Sequence, residues 1–424
     1  MKPREAKRAI TDGAYDELFF TLYGQASPLQ KERYLALIDT YTETFGGEDD
    51  IAVFSAPGRT EIGGNHTDHN RGRVLAGSVD LDVIAVASKT SDSVAHVYSK
   101  GFAPDDVDLD DQRVYPAEQG HSAALLRGIA RALDERGYKR GGYKAVTVSN
   151  VPRGSGVSSS AAFEVLLTTI QNAFYNDNKI PAIEVAKISQ YAERAYFGKP
   201  CGLMDQAACA VGGICMFDFA DEANPTVTPV PFRFDQSGYK LCLVSVGGDH
   251  SDLTDAYAAI PARMKQVAGC FGKEFLNEVT LEDLTKHISS VREKCGDDAV
   301  LAALHFLRET ERVPLEREAL LAGDFPRFLK LVTASGHSSF EYLQNVLVPR
   351  ENACQGAAIA LFYAAELLAD RGAWRIHGGG FGGTTQNFVP DDLVPAFRET
   401  MDGVFGEGAC HVLLIRPVGP VQVI

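Results

Sequence analysis

Between Val151 and Ala162 the chain reads VPRGSGVSSSAA. Gly154 and Gly156 let the backbone pass close to a ligand, and Ser155, Ser158, Ser159 and Ser160 offer hydroxyls and main-chain donors. A strongly helical run follows, so its positive end faces the same space. This is the composition of a phosphate cradle. It lacks the GKS or GKT ending of a Walker loop, and that ending occurs nowhere else in the chain. The plainer alternative is a serine-capped helix after a flexible turn.

A second segment, SAPGRTEIGGNHTDHNRGRVL from Ser55 to Leu75, gathers Arg59, Glu61, Asn65, His66, Asp68 and His69 into a glycine-punctuated loop. Short polar groups at that density suit a polyhydroxylated ligand. Two alternatives stand beside this one: a solvated turn, and a zinc site built on His66, Asp68 and His69. A third segment runs RIHGGGFGGT from Arg375 to Thr384, and Gly378, Gly380 and Gly383 match GxGxxG. A dinucleotide site needs that motif between a strand and a helix, whereas the following TTQNFV reads as a strand. A glycine-rich hairpin supporting a neighbouring site is the better reading.

The elements that must position these segments follow from periodicity. The first fifty residues read as two amphipathic helices, with Leu35, Leu37, Ile38 and Tyr41 as an apolar stripe ending at Gly46. IAVFSAPGR is a β-branched run broken at Pro57 and Gly58, and residues 74–88 read as one long strand or a pair. Helices are expected over 122–136, 161–174 and 183–196, and strands over 142–150 and 210–219. In the second half, strands are expected over 241–246 and 411–415, with helices over 252–269, 281–293, 297–309, 315–347 and 351–371. Strands interleaved with helices imply an α/β or α+β fold.

Composition bounds the function. The 424 residues carry 41 Lys+Arg against 56 Asp+Glu, a formal charge of −15, which excludes a basic nucleic-acid binder. The length suits two domains. The amino terminus carries acidic residues where a secretory signal would be apolar, and no stretch reaches the ~18 apolar residues of a membrane span. A soluble, cytoplasmic protein is expected, with neither nucleic acid nor membrane as partner. Eight cysteines without a CxxC pair read as buried reduced thiols.

Taken in order and spacing, the segments resemble the motifs of the GHMP sugar and small-metabolite kinases, specifically the galactokinase family. Residues 58–69 are similar to its signature GRVNLIGEHTDY, 152–161 to PxGxGLSSSA, and 378–383 to GAGFGG. CysGlyLeuMetAspGln at 201–206 is similar to CGIMDQ. The resemblance implies an α+β fold: a ribosomal-protein-S-five-like amino-terminal domain, residues 1–225, then a ferredoxin-like domain, 226–424. It implies an ATP- and Mg2+-dependent sugar 1-kinase acting on a small-molecule sugar, as a monomer or weak homo-oligomer. Asp205 falls at the catalytic aspartate and Arg59 at its partner. Glu193 and Ser160 fall at the magnesium ligands, and Gly154, Ser155, Gly156, Ser158, Ser159 and Ser160 on the phosphate loop. His66, Asp68 and Gly202 match sugar-contacting positions, as does Asn65, which stands where the family has a glutamate meeting the C6 hydroxyl.

Asn65 removes a negative charge, so a C6 carboxylate, as in galacturonate, also becomes tolerable. Glu61 replaces an asparagine, His69 a tyrosine, and Gly379 an alanine whose loss should be harmless. The family tyrosine beneath the sugar aligns with Ile260, with Tyr257 nearby. A galactokinase, a kinase for a C6- or C2-modified galactose, and a sugar sensor with little turnover are the readings left open. Retention of Asp205, Arg59 and Glu193 favours an enzyme.

Overall fold

Two sheets and a helical layer between them place the site, in a computed structural model that describes residues 1–152, 156–247, 254–349 and 353–424. The chain opens with three helices rather than two: α1 (Pro3–Thr11), α2 (Asp16–Tyr23) and α3 (Ser27–Phe45). Gly13 and Gly24, both at positive φ, make the breaks. Strands β1 (Ala52–Gly63), β2 (Arg73–Lys89), β3 (Val94–Ser99) and β4 (Asp105–Asp108) follow, then α4 (Ser122–Glu135) and β5 (Tyr143–Ser149). Next come α5 (Ser159–Tyr175), α6 (Ala182–Ala192), α7 (Met204–Val211), β6 (Ile214–Asp218) and β7 (Thr226–Pro229).

With the last strand of the chain, β12 (Val421–Gln422), these form an eight-stranded sheet in the order β12-β1-β2-β5-β3-β4, with β6 and β7 branching from β2. Strand β2 is a single element whose first half pairs with β6 and whose second half pairs with β5. β1 runs on through Pro57 and Gly58 instead of ending there, with its register shifting between Pro57 and Arg59. A proline has no N–H for the ladder, so a bulge is the form in which a strand keeps one. All twelve residues of β1 are buried, because α5 and α7 cover one face of the sheet and the amino-terminal helices the other. Phe19, Tyr34, Ile38 and Tyr41 pack on Val53, Ile84, Val86 and Val146. Asp82, fully buried, ties that layer down: it accepts from Tyr23 Oη at 2.5 Å and Arg33 Nη1 at 2.6 Å.

The second half holds β8 (Tyr239–Gly247), α8 (Thr254–Cys270), α9 (Leu281–Cys295), α10 (Asp297–Leu321), α11 (Phe325–Ser338) and α12 (Gly356–Leu368). It closes with β9 (Ala373–Ile376), β10 (Gly383–Pro390), α13 (Val394–Phe405), β11 (Cys410–Leu413) and β12 (Val421–Gln422). Its sheet is antiparallel, in the order β11-β8-β10-β9, with α12 and α13 packed on it. Helix α10 continues through Pro314, where a break was expected at 309. Strand β7 belongs to the first sheet although it lies past residue 225, and β12 returns to pair with β1. The architecture is α+β in two sheet-centred halves.

No described helix is long and apolar enough to cross a membrane. The cysteines are free; Cys209, Cys215, Cys242 and Cys410 are buried as expected, but Cys354 is exposed.

Candidate active site

The bulge in β1 aims Arg59 across the end of the sheet. Its Nε and Nη2 both donate to Oδ1 of Asp205, at 2.8 and 2.7 Å. Its Nη1 donates to the carbonyl of Gly156. Asp205 lies in the first turn of α7, where the helix dipole favours a carboxylate. Its second oxygen accepts from Ser158 Oγ at 2.5 Å. One cluster thus joins the signature strand, the phosphate loop and α7. Burial raises the Asp205 carboxyl, but the Arg59 charge and the hydrogen bonds from Ser158 and Arg59 outweigh it and hold the group below the ordinary carboxylate range. Asp205 is ionised at neutral pH.

The phosphate loop is held against this cluster by close approach. Gly156 is at φ +70°, and a Cβ there would lie 2.8 Å from His377 Nδ1. His377 is buried; its Nε2 accepts from the amide of Glu61 at 3.2 Å. Burial, with Arg59 and Arg375 adding to it, drives the imidazole well below its usual range, so the ring is neutral. Ser158 takes a left-handed conformation, φ 57°, just before Ser159 and Ser160 open α5. Gly154 and Ser155, also expected on this loop, lie outside the described residues.

Asp68 and Gly202 are brought together. A Cβ on residue 202 would sit 1.9 Å from Asp68 Oδ2, so only glycine admits that carboxylate. His66 is buried at φ 60°, and its Nε2 donates to Gly379 O at 2.8 Å. Burial pushes its pKa down to about 3, with His69 adding to the effect. Nε2 therefore carries the proton and Nδ1 is an acceptor, buried and without a protein partner. The Tyr257 ring lies 4.8 Å from that of His66. Ile260, at the aligned tyrosine position, is buried among α8, α9 and α10 instead. Tyr257 packs on His66 of this loop, and Gly379 is no neutral replacement, because a Cβ there would collide with the Tyr257 ring.

Asn65 departs from its expected role. Its side chain is fully buried, and protein groups take both of its polar atoms. Nδ2 donates to Glu61 Oε1 at 3.1 Å and to Gly378 O at 2.5 Å. Oδ1 accepts from Asn345 Nδ2 at 2.9 Å and Ser339 Oγ at 3.2 Å. It is a bracing residue here, with no free atom for a sugar. Its partner Glu61 is paired with the buried Arg375. Relative to the family signature, the amide and the carboxylate have exchanged places, and the displaced charge has acquired a cation.

Several residues that hold this loop carry no sequence motif. Glu309 on α10 accepts from the amides of Gly64 and Asn65, at 3.1 and 3.2 Å. His305, one turn earlier, contacts Asn65 O through Nε2 at 2.9 Å. They act across 240 or more positions of sequence, and their signal is polarity on the buried face of a helix. The hairpin of β9 and β10 supports the site as expected, through Gly378, Gly379 and His377.

Glu193 opens a wide π turn, Glu193–Phe197, that ends α6, the kind of local irregularity that collects at functional sites. Its side chain is 2% exposed. Oε2 accepts from Gln206 Nε2 at 2.7 Å, and Oε1 is paired with Lys199 Nζ at 2.9 Å. Gln206 also donates to Glu164, whose carboxyl is raised by burial and by Glu193. Glu164 keeps one buried oxygen without a partner. Oxygen donors of this kind fit a magnesium ion, which takes one or two carboxylates and keeps water and phosphate as its other ligands. The zinc alternative has no such support: His66 Nε2 is committed to Gly379, and among the described residues no group of three or more His, Cys, Asp or Glu could hold a metal.

Comparison with known proteins identifies the chain's relatives. Residues 39–89 match the model of the galactokinase galactose-binding signature, and 124–213 that of the GHMP kinases N terminal domain. The chain is 30% identical over 370 residues to a galactokinase of Actinobacillus pleuropneumoniae, covering 84% of this chain and 90% of that one. It is 29% identical over 371 residues to a galactokinase of Streptomyces coelicolor, covering 87% and 92%. Among solved structures, Lactococcus lactis galactokinase complexed with galactose superposes with a TM-score of 0.79 at 23% identity, covering 92% of this chain and all of that one.

Proposed function

Since the chain belongs to the galactokinase family, we propose that it transfers the γ-phosphate of ATP to the anomeric hydroxyl of galactose, with Asp205 and Arg59 at the reacting end of the sugar. The observation that carries this is the Arg59–Asp205–Ser158 cluster, which puts an ionised carboxylate where the signature strand, the phosphate loop and α7 meet.

Asp205 orients the O1 hydroxyl and accepts its proton as the bond to phosphorus forms. Arg59 and Ser158 fix the carboxylate and keep it ionised, so it is a ready acceptor at neutral pH. Phosphoryl transfer depends on positioning and charge neutralisation more than on covalent catalysis. The main-chain N–H groups of Gly156 and Ser158, with the main-chain and hydroxyl donors of Ser159 and Ser160 at the N-terminus of α5, are available to the phosphates. Glu193 and Ser160 would hold magnesium, which supplies positive charge on the nucleotide phosphates. Asp68, set against Gly202, accepts from sugar hydroxyls, His66 Nδ1 offers a further acceptor, and the Tyr257 ring borders the same space.

A second reading, a kinase for a galactose modified at C6, is favoured by one observation: Asn65 is spent on protein contacts, and the neighbouring carboxylate of Glu61 is tied to Arg375. The loop then offers no charged partner for a C6 hydroxyl at position 65. Turnover of galactose, galacturonate and N-acetylgalactosamine by the purified protein, with Asp205→Asn as control, tests both. Full turnover by Asp205→Asn would sink the first, and a preference for galacturonate over galactose would establish the second. ATP binding with no turnover on any sugar would point to a sensor.

A further inference from the structure

Lys199 stands on the carboxylate assigned to the metal. Both oxygens of Glu193 are occupied by protein groups, and the two occupants differ in kind. Gln206, on Oε2, is fully buried and is held by Glu164 as well. Lys199, on Oε1, is 54% exposed, on a short segment between the π turn and α7, flanked by Gly198 at φ +87° and Pro200. Oε1 is therefore the oxygen that can change partners, and Lys199 is the group that can leave. A flexible four-carbon stem lets an ammonium swing into solvent at small cost.

We propose that Lys199 is a resident cation on Glu193 which a divalent metal, arriving with the nucleotide, must displace. The proposal rests on Glu193 being a metal ligand. Without the metal, Glu193 and Glu164 are two buried carboxyl groups bridged by one amide, and Lys199 supplies the charge that balances Glu193. With the metal, the same charge is a competitor, since an ammonium and a divalent cation set on one carboxylate oxygen repel each other. The consequence is a built-in weakening of metal–nucleotide binding that leaves metal-free nucleotide binding untouched.

The test is the affinity of AMP-PNP, measured by calorimetry with and without Mn2+, for the wild-type chain, Lys199→Met, Lys199→Arg and Glu193→Gln. Lys199→Met is expected to bind Mn2+·AMP-PNP about tenfold more tightly, the order of one charge-assisted hydrogen bond removed from the competing state. Its metal-free AMP-PNP affinity should not change, and Lys199→Arg, which keeps the ion pair, should stay near wild type. Unchanged Mn2+·AMP-PNP affinity in Lys199→Met would overturn the proposal. So would weaker metal-free binding, which would make Lys199 a phosphate contact. Glu193→Gln tests the metal ligand itself: if it keeps the full benefit of Mn2+, the metal assignment of Glu193 falls, and the proposal with it.

Discussion

Residue 379 can only be glycine while Tyr257 stays where it is: a Cβ there would lie 1.6 Å from Tyr257 Cε2. The carbonyl of the same glycine accepts the proton of His66 Nε2. The third motif, the sugar loop and the start of α8 therefore meet at one residue. Glycine at 379 and tyrosine at 257 are sterically coupled, since the ring occupies the space a side chain at 379 would need.

Gly379→Ala is expected to push Tyr257 off the His66 ring. Overpacking of this kind costs typically ~1–3 kcal/mol, so KM for the sugar should rise roughly fivefold to a hundredfold, with little change in KM for ATP. Pairing it with Tyr257→Ala should remove the collision. Steady-state kinetics of the single and double variants checks this, and a Gly379→Ala enzyme with unaltered KM for the sugar would contradict it.

The exchanged pair at 61 and 65 should behave as a unit. Asn65→Glu alone sets a second buried carboxylate beside Glu61, and stability should drop by roughly 3–5 kcal/mol, the range for an uncompensated buried charge. Adding Glu61→Asn restores one carboxylate and one amide, with Arg375 still near. A double-mutant cycle by urea unfolding should show a coupling of about 1–3 kcal/mol. Strict additivity would mean that the two positions are independent.

Asp80 gives the fold a pH dependence of definite sign. Its carboxyl accepts from the amide of Leu414 at 2.9 Å, tying the carboxy-terminal segment to β2. Burial raises its pKa to about 7. The unfolded chain loses this proton first, near the ordinary carboxylate value, so between there and about pH 7 the folded state holds more protons. Stability from this group is then lost as pH rises through that window. Asp80→Asn should flatten the loss, by a few kcal/mol as an order of magnitude. Urea midpoints at pH 5 and pH 8 for both proteins decide it.

Much of the candidate site was legible in the sequence, because Gly156, Ser158, Arg59, Asp68, Gly202 and Asp205 sit in short motifs whose glycines have steric reasons visible in the structure. Gly202 makes room for Asp68, and Gly156 for His377. What escaped was long-range. Glu309 and His305 brace the sugar loop from α10, and no local pattern ties residue 309 to residue 64. Asn65 looked like a ligand contact because of its type and place, but Asn345 and Ser339, some 275 positions away, claim its oxygen. Element boundaries failed where proline misleads: β1 absorbs Pro57 in a bulge, and α10 runs through Pro314. The amino-terminal helices found their role only with the sheet face they cover.

The central claim is that Asp205 handles the proton of the sugar's anomeric hydroxyl. The most direct test is formation of galactose 1-phosphate from ATP and galactose by the wild-type chain and by Asp205→Asn, with AMP-PNP binding measured on both. Wild type is expected to form product, and kcat in the variant to fall by about a hundredfold to ten-thousandfold, the range for a lost general base, at unchanged AMP-PNP affinity. Asp205→Asn turning over at the wild-type rate would contradict it.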